Sequence, residues 1–125
     1  MSLKAGDTIT FERTFTLKDV ELFTALSGDE VIHHQTPDEQ GRLVIQGLLT
    51  ATLPTKIGGD NNVLACNANF EFLRPVLTGD TITCEVFIEE YKETKKNRKT
   101  IDTTFLCKNQ HGKNVLKGSF SGIIL

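Results

Sequence analysis

Residues 46–59, QGLLTATLPTKIGG, place apolar and small side chains on almost every side of a helix. A helix of this composition is buried over most of its surface, because a solvent-facing side would carry polar residues. Pro54 lacks a backbone N–H and crowds the carbonyl four residues before it. We therefore predict a helix that starts near Gly47, bends or ends near Pro54, and is closed by Gly58-Gly59.

The four segments that follow this helix alternate apolar and polar residues, which is typical of strands with one buried face. They read VLACNANFEFLRPV, GDTITCEVFIEEY, KTIDTTFLCK and GSFSGIIL. A further strand is predicted near the amino terminus, in GDTITFERTF at 6–15. One hydrophobic helix covered by such strands is an α+β arrangement of two layers. We expect a single hot-dog domain over residues 1–125, with a curved antiparallel β-sheet wrapped around a central α-helix.

A shorter helix is predicted between the first strand and the central helix. Thr16 can cap it, with Asp19 three positions later, and Gly28 stands where a left-handed C-cap residue is expected. The residues that recur on its apolar face are Val20, Phe23 and Leu26.

The composition excludes several classes of partner. Charged residues make up 24% of the 125 residues and the net charge is −2, so no basic surface favours nucleic acid or an anionic membrane. No apolar run reaches membrane-spanning length, and the opening MSLKAGD has no hydrophobic signal region. We therefore expect a cytoplasmic protein with neither nucleic-acid nor membrane partners.

The three cysteines do not form a C-x-x-C pair, and each falls in a strand-like run. Reduced thiols in the core are the interpretation we favour, with no metal site and no disulfide.

The segment SGDEVIHH, residues 27–34, has two possible interpretations. In the first, Gly28 ends the helix, Asp29 accepts hydrogen bonds from backbone donors in the turn, and the histidines pack or face water. In the second, a bend after the helix turns Asp29 and His34 toward one point. A carboxylate beside an imidazole fixes its tautomer and supports its charged form, which suits a general base near neutral pH. For His33 no partner can be identified from spacing.

The helix that opens at Gly47 adds a third element to the second interpretation. Its free amides and positive dipole end can stabilise an oxyanion. An acid, a base and an oxyanion site within one short span make a plausible active site.

The same residues resemble the hydratase motif of the MaoC-like dehydratases, a family that includes the (R)-specific enoyl-CoA hydratases. That motif reads Ser-Gly-Asp-x-Asn-Pro-x-His, and SGDEVIHH matches it at Ser27, Gly28, Asp29 and His34. The resemblance extends over almost the whole chain, through QGLLTATLPTKIGG, NFEFLRPVLTGDTITCEV and NQHGKNVLKGSFSGII. The pattern departs from the family at three places: Val31-Ile32 replace Asn-Pro, Gln46 replaces the histidine before Gly47, and the segment between His34 and Gly47 is shorter than usual.

The resemblance implies a hot-dog fold that forms a homodimer and adds water reversibly to an enoyl thioester. By this implication Asp29 and His34 hold and activate the water, and the Gly47 N–H binds the thioester oxygen. Thr55 stands where some hydratases have a serine in the site, so it either donates a hydrogen bond there or is an ordinary buried threonine. The substrate is an acyl-CoA or an acyl carrier protein thioester, coenzyme A is part of that substrate, and no further cofactor is implied.

The sequence is also compatible with two other functions. Hot-dog proteins also act as acyl-CoA thioesterases, in which an acid activates water against the thioester carbonyl, and others could bind acyl-CoA without turnover. The presence of Asp29 and His34 together favours the hydratase, whereas the missing Asn-Pro favours a binding module.

Overall fold

The structure is a computed structural model that describes residues 3–94 and 96–125. Three helical segments and five strands account for most of these residues. The helices are α1 (Leu17–Ser27), α2 (Gly47–Thr50) and α3 (Thr52–Asp60), and a single 3-10 turn spans Ile32–His34. The strands are β1 (Thr8–Thr14), β2 (Val63–Phe72), β3 (Thr81–Glu93), β4 (Lys99–Lys108) and β5 (Asn114–Ile124).

All five strands form one antiparallel sheet in the order β1-β3-β4-β5-β2. The inward-facing residues of β3 and β4 are almost completely buried, as their alternation predicts. They pack against α3, whose Leu53 and Ile57 are 0% and 3% exposed. A curved antiparallel sheet around a central helix is the hot-dog architecture, so the predicted fold class is confirmed.

The predicted caps of α1 are both present. Thr16 Oγ1 accepts a hydrogen bond from Asp19 N at 3.2 Å, while the Asp19 carboxylate accepts one from Thr16 N at 2.9 Å. These reciprocal bonds satisfy two backbone donors that the helix itself cannot satisfy. Gly28 adopts φ 73° and donates its N–H to Thr24 O, which ends the helix immediately before Asp29.

The central helix is interrupted earlier than the proline suggested. It breaks at Ala51, between α2 and α3, and then continues through Pro54 to Asp60. The break lies beside Thr50, which is four residues before Pro54. Because proline has no backbone N–H, the Thr50 carbonyl receives no helical hydrogen bond from Pro54. Gly58 and Gly59, predicted to close the helix, lie inside its last turn.

Strand β2 lies at one edge of the sheet, and most of its residues are exposed. A register shift between Ala65 and Asn67 leaves Cys66 as an unpaired extra residue. Cys66 is therefore exposed, whereas Cys84 and Cys107 are buried as predicted. A hydrogen bond with Cys107 and burial both raise the pKa of the Cys84 thiol, which keeps it protonated.

Within the described residues, no helix combines the length and the apolar composition needed to cross a membrane.

Candidate active site

Asp29 directly follows the left-handed Gly28 and uses its two carboxylate oxygens differently. Its N–H donates to Ser27 Oγ at 3.0 Å, and its Oδ1 accepts a hydrogen bond from Val31 N at 3.4 Å. These bonds hold the carboxylate across the turn, so Oδ2 is directed toward the His34 ring. Oδ1 thus accepts a hydrogen bond from a backbone donor in the turn, which is the structural role that we considered for Asp29. Oδ2 remains available to bind water or substrate.

His34 is 6% exposed and is held in one tautomer by the backbone. Its Nδ1 lies 2.6 Å from the carbonyl oxygen of Val44, and a carbonyl can only accept, so Nδ1 carries the proton. In the neutral imidazole Nε2 is then the acceptor nitrogen, and it lies 3.7 Å from Asp29 Oδ2. We expected Asp29 to fix the tautomer; the structure assigns that role to Val44 instead.

The distance between His34 Nε2 and Asp29 Oδ2 is longer than a hydrogen bond between nitrogen and oxygen. Both atoms are hydrogen-bond acceptors when the imidazole is neutral and the carboxylate is ionised. Two acceptors at this separation can each accept a hydrogen bond from one shared water molecule.

The Val44 carbonyl is itself held in place by the polypeptide. Val44 N donates to His33 O, and the next residue, Ile45, donates its N–H to Val76 O at 2.8 Å. The short segment before α2 is therefore anchored both to the histidine turn and to the chain that follows β2.

The turn that carries His34 keeps its shape without the proline of the hydratase motif that it resembles. Val31 adopts φ −58° and ψ 139°, and Ile32 begins the 3-10 turn. His34 N donates to Val31 O at 2.8 Å, and the Gln35 side chain donates to Glu30 O at 2.6 Å. Backbone and side-chain hydrogen bonds thus replace the restraint that a proline ring would supply.

We predict that Ile32→Pro stabilises the protein. Ile32 is 75% exposed and stands at the first position of the turn, where proline is tolerated, and Val31 already has the extended conformation favoured before proline. The expected gain is about 0.4–1 kcal/mol, from the lower entropy of the unfolded chain. Urea denaturation of wild type, Ile32→Pro and the matched control Ile32→Ala measures it. A lower midpoint for Ile32→Pro than for Ile32→Ala would show that the turn differs from this description.

Gly47 is the first residue of α2, so its N–H has no carbonyl one turn earlier in the helix. The Phe72 ring lies against its Cα, and a Cβ built on Gly47 would meet Phe72 Cε1 at 2.7 Å. Glycine at this position thus lets the aromatic ring approach the start of the helix closely.

Asp29, His34 and Gly47 line one cleft of about 510 Å³. Its inner wall includes Ile45, Val76 and Val115, each no more than 4% exposed. His33 also lines the cleft, and its ring packs edge-on against His34 with centroids 4.0 Å apart. The structure therefore brings His34, Asp29 and the first residue of α2 to one cavity with an apolar wall.

Thr55 lies outside this cleft. It lines a separate groove with residues of α3, β2 and β5, and its hydroxyl donates to Ala51 O at 3.0 Å. Thr55 is also exposed, so it is not the buried threonine that we considered as the alternative.

Gln46, which stands where the resembled hydratases have a histidine, is 1% exposed. Its Nε2 donates to Thr24 Oγ1 at 2.8 Å, so it ties α1 to the start of α2. Its Oε1 is buried without a hydrogen-bond partner among the described residues.

Sequence patterns did not indicate Val44, Phe72 or Arg74 as residues of this site. Val44 acts through its backbone carbonyl, which no side-chain motif can reveal. Phe72 and Arg74 belong to a segment that was predicted as a strand and noted for its likeness to the hydratases, and the fold brings them to the cleft at and just after the end of β2. Across residues 3–94 and 96–125, no three histidine, cysteine or carboxylate side chains come together in a way that could bind a metal ion.

Residues 41–117 match the family model described as FAS1-like, dehydratase domain region. Because the match covers more than half of the chain, the protein belongs to this dehydratase family. Gly47 lies within the matched residues, whereas Asp29 and His34 precede them. A comparison with curated protein sequences found no match.

Solved structures of hydratases and dehydratases share the fold over nearly the whole chain. An (R)-hydratase from A. caviae involved in PHA biosynthesis is 25% identical with a TM-score of 0.85, and the alignment covers 99% of this chain and 98% of that one. An R-hydratase from Pseudomonas aeruginosa is 23% identical with a TM-score of 0.82, covering 98% and 81%. A MaoC-like dehydratase from Rhodospirillum rubrum is 15% identical with a TM-score of 0.78, covering 98% and 93%. The last two show the likeness of fold alone. Together with the family match, the first confirms the resemblance to the MaoC-like hydratases.

Proposed function

We propose that the protein catalyses the reversible addition of water to a trans-2-enoyl thioester, which gives an (R)-3-hydroxyacyl thioester. The single observation that carries this proposal is the placement of His34 Nε2 and Asp29 Oδ2, 3.7 Å apart, in a cleft that Gly47 also lines. Membership of a dehydratase family and the likeness to the (R)-hydratase from A. caviae support it.

His34 acts as the general base for a water held between its Nε2 and Asp29 Oδ2. Because Nδ1 donates to Val44 O, the free electron pair for proton abstraction is on Nε2. As Nε2 takes a proton, the water oxygen bonds to the β-carbon and the π electrons move toward the thioester oxygen. The proton then reaches the α-carbon on the same face, either from the imidazolium or through Asp29.

The Gly47 N–H donates to the thioester oxygen while negative charge develops there. This interaction is stronger in the transition state than with the neutral carbonyl, so it accelerates the reaction instead of only binding the substrate. We leave Thr55 out of this mechanism, because its hydroxyl bonds to Ala51 O and it lines another groove.

The carrier of the acyl group is coenzyme A or an acyl carrier protein, and no other cofactor takes part. A soluble enzyme of this type acts in the cytoplasm, in fatty acid metabolism.

Incubation of the wild-type protein with crotonyl-CoA tests the reaction. Hydration removes the conjugated double bond, so the absorbance of the enoyl thioester falls while a thiol reagent detects no free coenzyme A. Release of thiol would identify a thioesterase, and binding without any change in the substrate would identify a binding module.

We also propose that the protein is a homodimer that pairs along β2. This edge strand has ten residues and exposes Leu64 and Phe72 at 54% and 53%, whereas β1, at the other edge, exposes the charged Glu12 and Arg13. Charged residues protect an edge strand from pairing with another chain, whereas an apolar edge strand favours such pairing.

Sedimentation at micromolar concentration is expected to give the mass of two chains. Leu64→Lys should shift the equilibrium toward the monomer, because it places a charge on the pairing edge. Leu22→Lys is the matched control, since Leu22 is 59% exposed on α1. A monomeric wild type would contradict the assembly.

A further inference from the structure

Arg74 is the one lysine or arginine among the described residues that line the catalytic cleft. It is the second residue after β2, in the segment 73–80 that leads to β3, and it is exposed at the rim. The proposed reaction involves only a base, a carboxylate and a backbone donor, so it gives this cation no role.

The polypeptide holds Arg74 in a defined position. Leu73 N donates to Val115 O at 2.9 Å, and the Arg74 guanidinium donates through Nη1 to the carbonyl oxygen of Asn114 at 2.7 Å. This bond ties the side chain to the first residue of β5, so the guanidinium loses little freedom when it binds a second group.

The remaining donors of Arg74 are available to a ligand. A guanidinium has five N–H donors, and the bond to Asn114 uses one of them. No aspartate or glutamate within residues 3–94 and 96–125 forms an ion pair with Arg74. A planar cation with free, parallel donors matches the geometry of a phosphate or a carboxylate.

The position of Arg74 in the cleft indicates which part of the substrate it meets. The inner wall, which includes Ile45, Val76 and Val115, is buried and apolar, and it suits the acyl chain. Arg74 stands with the exposed Leu48 and Phe72 at the rim, where the chain leaves the protein. The thiol carrier, and not the acyl group, therefore passes this residue.

We propose that Arg74 binds a phosphate of the thiol carrier. Coenzyme A and the prosthetic group of a carrier protein share a phosphate at the end of the pantetheine arm, and coenzyme A has further phosphates beyond it. This inference rests on the proposed function, because it assigns the carrier of the same thioester. Arg74 is a substrate-binding residue that takes no part in the bond changes.

Three crotonyl thioesters test the proposal: those of coenzyme A, of phosphopantetheine and of pantetheine, which lacks phosphate. A hydrogen bond to a charged group contributes about 1.5–3 kcal/mol, so Arg74→Ala should raise KM for a phosphate-bearing ester by roughly tenfold or more. The value of kcat should change little, and the increase in KM should be confined to esters that carry phosphate. Arg98→Ala, at the turn between β3 and β4, is the matched control because Arg98 does not line the cleft.

The set of esters whose KM increases also identifies which phosphate Arg74 binds. An increase in KM for both phosphate-bearing esters assigns the phosphate that the two carriers share, whereas an increase for the coenzyme A ester alone assigns one of its further phosphates. An equal increase for the pantetheine ester, or no increase for any ester, would overturn the proposal.

Binding of coenzyme A itself separates this proposal from the proposed function. If the wild type hydrates none of the three esters, the reaction assignment fails, but calorimetric titration with coenzyme A still decides the role of Arg74. We expect Arg74→Ala to bind coenzyme A roughly tenfold more weakly than wild type and Arg98→Ala, in line with 1.4 kcal/mol per factor of ten. Equal affinities for all three proteins would overturn the proposal.

Discussion

Asp29→Asn and His34→Ala are each expected to lower kcat for crotonyl-CoA hydration by about a hundred- to ten-thousand-fold, the usual contribution of a general acid or base. Without His34 Nε2, the attacking water loses the base that accepts its proton in the proposed mechanism. Without the Asp29 carboxylate, that water loses an acceptor and the imidazolium loses its nearest negative charge. Initial rates from the fall in enoyl absorbance measure both effects.

The controls for this experiment separate catalysis from folding. His33→Ala changes the neighbouring ring, which also lines the cleft, and we expect only a mild effect. Asp29→Asn keeps an oxygen that can accept a hydrogen bond from Val31 N, so the melting temperature of this variant should stay near that of wild type. His34→Ala removes a buried side chain and is therefore expected to be less stable. Full activity in Asp29→Asn and His34→Ala would show that SGDEVIHH is only a helix end and the turn that follows it. A loss of activity confined to His33→Ala would identify His33 as the base.

Gly118→Ala is expected to cause the largest loss of stability. A Cβ at Gly118 would clash with the backbone carbonyl oxygen of Asn69 on β2 and would lie 2.7 Å from Phe105 Cζ. Backbone atoms in a paired strand cannot move aside as a side chain can, so β2 must shift away from β5. Overpacking typically costs 1–3 kcal/mol, and we expect a loss of about 3 kcal/mol or more because the contact involves the main chain.

Gly59→Ala is the matched control for that substitution. Gly59 lies in α3 and nothing lies within 4 Å of a Cβ built there, so the change should be neutral or stabilise the helix by up to about 1 kcal/mol. Equilibrium urea denaturation gives both free energies of unfolding. Equal values for Gly118→Ala and wild type would show that β2 does not approach β5 as closely as described.

Local patterns were sufficient to predict most of the fold. The capping residues of α1 and the alternation in β3 and β4 act over a few residues, so their outcome follows from the nearby sequence. Asp29 and His34 could be singled out because both lie in one short motif. Their separation and the bend between them still required the three-dimensional structure.

Features that depend on distant chain segments could not be predicted. The tautomer of His34 is fixed by the carbonyl of Val44, whose position depends in turn on pairing with residues beyond β2. Thr55 was grouped with the site by family likeness, but the helix directs its hydroxyl to Ala51 O. The extra residue Cys66 in β2 likewise depends on the register between β2 and β5, which does not follow from residue type alone.

The most direct test of the proposed function follows the oxygen atom of the water. The protein is incubated with crotonyl-CoA in water enriched in heavy oxygen, and the products are analysed by mass spectrometry for wild type and for the Asp29→Asn/His34→Ala double variant. The proposed mechanism predicts that the wild type places heavy oxygen on the β-carbon of an intact (R)-3-hydroxybutyryl-CoA, and that the double variant forms almost none of this product. Heavy oxygen found in the carboxylate of free crotonic acid, or in no product at all, would contradict the assignment of this cleft as a hydratase site.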